Sequence, residues 1–279
     1  MAHDSEKSRK LRGADRLQRI LLTLRANSTI RLNELADEFG VSSETIRRDL
    51  DKLSSQGLIN RTHGGASVVP LGTDPTLKQR LEMNKGERAG IAREAMTLVS
   101  PGEVLMISSG VTAFGFAQRL ATSAVDVTVL TPSVNVATTL SSNPATRVLL
   151  MPGEYYPGEA TVIGQETTNF VSRFRANTVF IGASGLTEEG AFESIPGITW
   201  NLRAMMERSE RVVLLTDHTK FGMRRLDLVC PLDDIDVLVT DRLPEGNLLN
   251  AIRRAGVELR IARVEGDDED VALSAALSS

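Results

Sequence analysis

Seven short apolar runs rich in β-branched residues recur after residue 100, at 104–107, 127–130, 148–151, 179–182, 212–215, 237–239 and 259–262. Most are continuous rather than alternating, the pattern of a strand whose two faces are both covered. Helix-like segments at 113–122, 134–142, 200–209 and 246–255 lie between several of them, and a helical stretch over 76–99 precedes the first, with Ile91, Ala95, Leu98 and Val99 placed to face a core. Short strands separated by helices predict a mainly parallel sheet in an α/β domain.

That domain does not account for the whole chain. With 279 residues, 41% hydrophobic and 24% charged, the sequence has the length of about two domains and ample apolar material for a core. No run approaches the roughly 20 apolar residues of a bilayer span, and residues 1–13 are polar with no h-region, so a cytoplasmic protein without membrane partners is expected. One cysteine, Cys230, excludes an intrachain disulfide, and three scattered histidines argue against a metal centre; neither metal nor cofactor is expected. The net charge of −4 is unevenly placed: residues 1–70 carry 12 basic against 9 acidic side chains, the remainder 20 against 27. A locally basic N-terminus on an acidic body points weakly to an anion partner for the first segment.

From Asp15, with Gln18 completing a capping box, Leu17, Ile20, Leu21 and Leu24 recur at helical spacing and predict a helix over 15–26. Leu32, Leu35 and Ala36 predict a second, stopped at Phe39-Gly40 by a glycine free to take positive φ. A third opens at Val41-Ser42-Ser43, with Ser42 capping it and Ile46, Leu50 and Leu53 forming its inner face before Gly57. At 100° per residue Arg48 falls almost opposite Ile46, flanked by Glu44, Asp51 and Lys52, with Thr45 and Arg47 at the sides. An arginine-bearing helix after a short turn suits the major groove, where guanidinium groups read guanine edges or hold phosphates. Residues 58–62 then alternate as a strand, His63-Gly64-Gly65 turns, and 66–69 returns, forming a wing with Arg61 and His63 beside the phosphate backbone. On charge alone a solvated helix face would be the plainer reading.

The combination of Glu34-Leu35-Ala36, Phe39, Val41-Ser42, Thr45-Ile46-Arg47-Arg48-Asp49-Leu50, Leu53, Gly57 and Arg61 with His63-Gly64-Gly65-Ala66 resembles the winged helix-turn-helix of the DeoR family of bacterial transcription regulators. It implies binding to double-stranded operator DNA through Ser42, Ser43, Thr45, Arg47, Arg48 and Lys52 on the helix and Arg61, His63 and Gly64 on the wing. Because one helix reads only a few base pairs, a homo-oligomer presenting two heads is expected.

Val69-Pro70-Leu71-Gly72-Thr73-Asp74-Pro75 breaks all periodicity. The expected division is therefore a flexible 1–14, a DNA-binding domain at 15–69, a linker at 70–76, an effector-binding and oligomerisation domain at 77–265 and an acidic flexible tail at 266–279. In a parallel sheet, ligands sit beyond the carboxyl ends of the strands. Ser108-Ser109-Gly110-Val111-Thr112, Gly182-Ala183-Ser184-Gly185 and Asp217-His218-Thr219-Lys220-Phe221-Gly222 follow the first, fourth and fifth runs, and offer hydroxyls, glycine amides and a lysine. Gly110 and Gly115 have P-loop spacing, but Phe116 and Ala117 stand where Lys and Ser/Thr are required, excluding that motif.

The order of these loops is similar to the DeoR effector domain, akin to ribose-5-phosphate isomerase. The similarity implies a phosphorylated sugar or related polyol as effector, held by Gly110, Thr112, Ser133, Gly182 and Lys220. Several positions depart from the family pattern: the first loop reads Ser108-Ser109-Gly110-Val111-Thr112 where Asp-Ser-Gly-Thr-Thr is common, Pro132 interrupts the usual Thr-Asn-Ser, Pro152-Gly153 replaces the usual Gly-Gly, and Asn177 stands where aspartate often precedes the FIGASG segment. An isomerase needs a base near the substrate C–H, and Ser108 removes a carboxylate, so a non-enzymatic repressor of carbohydrate genes is the expectation. A sugar-phosphate isomerase-like enzyme with an accessory N-terminal module is the alternative.

Overall fold

A computed structural model describes residues 16–263 except 18, 21–22, 25–28, 56–58, 63 and 69–74. The expected flexible N-terminus, most of the expected linker, the acidic tail, Gly57 and His63 thus lie outside the described residues. The chain divides into two compact units, 1–79 and 80–279.

In the first unit Arg16, Leu17, Arg19, Ile20, Thr23 and Leu24 are helical, followed by helices Leu32–Phe39 and Ser43–Ser55. Gly40, at φ 62°, ends the second helix, and its N–H returns to the carbonyls of Ala36 and Asp37. Ile20, Leu24, Leu35, Phe39, Ile46, Leu50, Leu53 and Ile59 close one small core. The hairpin of β2 (Ile59–Thr62) and β3 (Gly65–Val68) is joined by β1 (Thr29–Arg31), giving the order β1-β3-β2. The sequence pattern leads to a two-stranded wing. The third strand escapes it because three residues leave no periodicity to detect.

The second unit centres on a seven-stranded sheet. Its strands are β4 (Val104–Ile107), β5 (Val127–Thr131), β6 (Thr146–Leu150), β9 (Ala176–Gly182), β12 (Ser209–Leu215), β14 (Val237–Thr240) and β15 (Glu258–Ile261). They run in the order β15-β14-β12-β9-β4-β5-β6, with every pair parallel. All seven runs expected as strands are in it.

The reason those runs are continuous is visible in the packing. Leu105 and Ile107 of β4, Phe180 of β9 and Val213 and Leu215 of β12 enter one core with helices Lys85–Met96, Val111–Ala121 and Val134–Leu140. Met106, Val179, Ile181, Val212 and Leu214 enter the opposite core with helices Gln165–Val171, Pro196–Glu207 and Gly246–Arg254. Alternate side chains of the central strands therefore meet different helices, and water reaches the sheet chiefly at strand starts and at the edge strands β6 and β15, where Leu150 and Ile261 are exposed. Phe116 and Phe180 meet with ring centroids 4.3 Å apart.

Two smaller antiparallel sheets flank this body: β7 (Glu154–Tyr156) with β8 (Thr161–Ile163), and β10 (Gly185–Thr187), β11 (Gly190–Glu193) and β13 (Asp227–Cys230) in that order. The helical stretch expected over 76–99 is corrected to two helices, Leu77–Glu82 and Lys85–Met96, separated where Asn84 turns to φ 49°. Asparagine tolerates that left-handed conformation better than other residues with a side chain. Among the described residues, no helix is long and apolar enough to cross a membrane.

Candidate functional site

Helix Ser43–Ser55 has two chemically distinct sides. Ile46, Leu50 and Leu53 are buried, whereas Ser42, Ser43, Glu44, Arg47, Arg48 and Lys52 are exposed and Thr45 is half-buried. Ser42 caps the helix: its carbonyl accepts the Ile46 N–H at 3.2 Å and its hydroxyl accepts the Thr45 N–H at 3.2 Å. Glu44 lies between the two arginines, with oxygens 2.7 Å from Arg47 Nη2 and 3.3 Å from Arg48 Nε. The hydrogen bond from Arg47, with the charges of both arginines, holds the Glu44 carboxyl below the usual range. The outer face is thus a preset fan of guanidinium groups, with the Arg48 side chain 79% exposed.

The wing differs from the picture drawn from sequence. Arg61 is engaged within the unit rather than projecting alone: its Nε lies 3.0 Å from Asp51, and its Nη1 donates to the Gly65 carbonyl at 3.0 Å. It ties the hairpin to the arginine helix. Gly64, at φ 95°, is exposed with open space where a side chain would stand, whereas a Cβ on Gly65 would lie 2.0 Å from the Ile30 carbonyl oxygen. Close backbone approach at the second glycine therefore serves β1.

In the second unit the order of the sheet reverses at β4, whose neighbours are β5 on one side and β9 on the other. Such a reversal, outside the carboxyl ends of the strands, is where open parallel sheets generally receive ligands, which makes the loops leaving β4 and β9 the candidate position. Ser108 stitches these loops together: its N–H donates to the Phe180 carbonyl at 3.0 Å, and its hydroxyl accepts the Gly182 N–H at 3.1 Å and donates to the Ser109 carbonyl at 2.9 Å. Gly110, at φ 104°, opens helix Val111–Ala121, and Thr112 is buried in its first turn. Gly110, Thr112 and Gly182 thus belong to the two loops at the reversal.

Ser133, at the end of β5, has its hydroxyl occupied in accepting the Val136 N–H at 3.3 Å, so its plainest role is a helix cap. Lys220 closes a short turn of 3₁₀ helix, His218–Lys220, after β12 and is half-buried. Asn177 accepts the Val104 N–H at 3.0 Å, which gives it a place in the sheet rather than in the loops at the reversal.

Several groups at this end were missed by the sequence pattern. Glu193, buried at the end of β11, accepts from the Ser184 hydroxyl at 2.9 Å and the Ser194 N–H at 2.6 Å. Burial pushes its carboxyl up, and the charge of Glu159 adds to the shift. Asp217 is buried and accepts the Thr219 N–H at 3.0 Å together with the Thr219 hydroxyl. His218 Nδ1 lies 2.5 Å from Asp241 Oδ2. Burial alone would raise Asp241, but the His218 hydrogen bond and charge outweigh it and hold the carboxyl low. Position directly after the fifth and sixth apolar runs was the available signal for Asp217 and Asp241. A separate groove of about 680 Å³, lined by Arg88, Arg93, Phe114 and Arg119 among others, contains none of the five expected effector residues. Among the described residues, no cluster of His, Cys, Asp and Glu has the makings of a metal site.

Comparison with known proteins agrees with this architecture. Residues 16–70 match the DeoR-like helix-turn-helix domain, and residues 83–242 match the DeoR C-terminal sensor domain. The chain is 30% identical over 262 residues to the HTH-type transcriptional repressor GlcR of Bacillus subtilis, covering 91% of this chain and 98% of that protein. It is 29% identical over 243 residues to the glycerol-3-phosphate regulon repressor of Escherichia coli, covering 87% and 96%. Among solved structures it is similar to ribose 5-phosphate isomerase A from Methanocaldococcus jannaschii, at 17% identity and TM-score 0.37 over 48% of this chain and 53% of that one. With the sensor domain alone spanning more than half its length, the chain belongs to the DeoR family of helix-turn-helix transcriptional regulators.

Proposed function

We propose that this regulator represses genes of carbohydrate metabolism by binding duplex operator DNA as a homo-oligomer, and that a phosphorylated sugar or polyol bound at the loops leaving β4 and β9 changes that binding. The observation that carries the first half is the outward fan of Arg47 and Arg48 over the buried Ile46, Leu50 and Leu53. Arg47, Arg48, Ser43, Thr45 and Lys52 make the groove and phosphate contacts; Ser42 supports them as a cap, and the wing approaches the backbone through Gly64. The names of the relatives, one of them the repressor of a glycerol-3-phosphate regulon, favour a phosphorylated ligand for the second half. Gly110, Thr112, Gly182 and Lys220 are the groups placed to receive it, and Ser133 shapes the loop beside them.

The test is fluorescence anisotropy with DNA from the chain's own promoter region, followed by titration with a panel of sugar phosphates. Binding that is lost in Arg47→Ala/Arg48→Ala, with a shallower salt dependence, supports the reading. The isomerase alternative is disfavoured by family membership, and by the hydrogen bonds that already engage Asp217, Asp241 and Glu193. Turnover of a sugar phosphate by the purified chain would reverse that judgement.

A further inference from the structure

Arg80 projects from helix Leu77–Glu82 and meets Glu159 in an unusual way. A single terminal nitrogen, Nη2, contacts both carboxylate oxygens, at 2.5 and 2.6 Å, with the two side chains only 20% and 15% exposed. The Nε of the same guanidinium is buried and has no hydrogen-bond partner. An arginine that served only to neutralise Glu159 would be expected to use its side-on fork, in which Nε and a terminal nitrogen each take one oxygen. Here that edge is left with a buried, unsatisfied donor, which is costly unless an acceptor comes to it.

The surroundings locate this donor. Glu159 immediately precedes Ala160 and Thr161; the Ala160 carbonyl accepts the Val134 N–H at 2.9 Å, and Thr161 is bridged to Ser133 beyond β5. The charge of Glu159 reaches Glu193, which holds Ser184 beyond β9. Arg88, buried on the next helix, donates to the Leu81 carbonyl at 2.8 Å and feels the charges of both Asp217, beyond β12, and Arg80. Arg80 is therefore tied through Glu159 to the loop after β5, and it shares an electrostatic environment with groups held by the loops after β9 and β12.

Building on the effector reading above, we infer that Arg80 is an anion-binding residue of the effector pocket, its Nε edge receiving an oxygen of the ligand's phosphoryl group. Glu159 acts as the built-in counter-charge that holds the guanidinium in place and competes with the ligand for it. Phosphomonoesters fit this better than neutral sugars, because the donor is charged and its geometry is that of an oxyanion contact. Since Arg80 lies on the first helix after the expected linker, a ligand that takes it acts on the part of this unit nearest in sequence to the DNA-binding unit.

The experiment uses the full chain and calorimetric titration with ribose 5-phosphate, glucose 6-phosphate and glycerol 3-phosphate, alongside ribose, glucose and glycerol. Arg80→Lys keeps the charge and removes the Nε edge; it should weaken the best phosphate by about tenfold while leaving its unphosphorylated parent unchanged. Glu159→Gln removes the competing charge and should tighten the same phosphate severalfold, which keeps the inference testable if Arg80→Lys does not fold. A role in folding alone would weaken phosphate and parent equally. Equal loss, no change in Arg80→Lys, or weaker phosphate binding in Glu159→Gln overturns the inference while the effector reading stands. If wild-type protein binds none of the three phosphates, the effector reading falls for these ligands, and this inference with it.

Discussion

Arg16 donates to both carboxylate oxygens of Asp49, Nε to Oδ2 at 2.5 Å and Nη2 to Oδ1 at 3.2 Å, tying the first helical segment to the back of helix Ser43–Ser55. The side chains are only 12% and 13% exposed, so removing one leaves the other charged and largely desolvated. Breaking a fully buried pair costs about 3–5 kcal/mol, and the remaining solvent contact reduces that to about 2 here. Asp49→Ala should therefore raise amide hydrogen exchange across 43–55 by about 30-fold in the full chain. Unchanged exchange would mean that the arginine helix is held without this pair.

The two wing glycines separate by mechanism. Gly65→Ala places a methyl group against the Ile30 carbonyl, and relief requires moving β1 or β3. A loss of about 2–4 kcal/mol is expected. Gly64→Ala meets no atom and carries only the strain of φ 95°, about 1–2 kcal/mol. Circular-dichroism melts of the two variants should rank them in that order.

Glu44 restrains the outward arginines and is itself an anion on the proposed DNA face. Glu44→Gln should increase affinity for non-specific duplex at low salt severalfold and narrow the gap between operator and random sequence, because the phosphate term is indifferent to sequence. Filter binding at two salt concentrations reads both quantities.

Cys230 is buried, and burial pushes its thiol up to about 12. The thiolate needed for attack is then scarce at neutral pH. Folded protein should be inert to an aromatic disulfide reagent over the time in which urea-unfolded protein reacts fully. Rapid labelling of the native state would show that strand β13 opens readily.

Two carboxyls at the sheet end contribute opposite slopes to stability. Asp241, held low mainly by His218 against the effect of burial, stabilises the fold above its ordinary value and loses that contribution as pH falls through its lower native value. Glu193, raised by burial, binds its proton more tightly when folded, so it favours the fold at acid pH and penalises it as pH climbs from the ordinary glutamate value to its native one. The difference in melting temperature between wild type and Glu193→Gln should therefore shift against wild type between about pH 4 and pH 8. A constant difference would mean that Glu193 titrates normally.

Much of this molecule was legible from local pattern. The seven sheet strands show themselves because burial on both faces forces continuous apolar runs, and Ile46, Leu50 and Leu53 because one helical face is buried. The arginine face follows from the same wheel. What could not be read were features decided by distant contacts: Arg80 pairs with a residue 79 positions away, and Arg61 turns from a wing cation into a brace because Asp51 happens to lie beneath it. The two-residue break at Met83-Asn84 is hard to read because Met83 is a good helix former and one asparagine, though a poorer one, does not by itself end a helical pattern.

The pairing of β4 with β9 aligns Leu105 with Thr178 and Ile107 with Phe180, segments more than 70 residues apart in the chain. The candidate effector position therefore has no existence in any local fragment; it comes into being only when that long-range seam zips shut, among the slowest kinds of event in the assembly of an α/β body. On the proposed effector reading, a small molecule seated there would clasp the seam from above. Its occupancy should lengthen the lifetime of the folded sensor as well as alter its grip on the operator, coupling metabolite supply to how long each copy of the regulator survives.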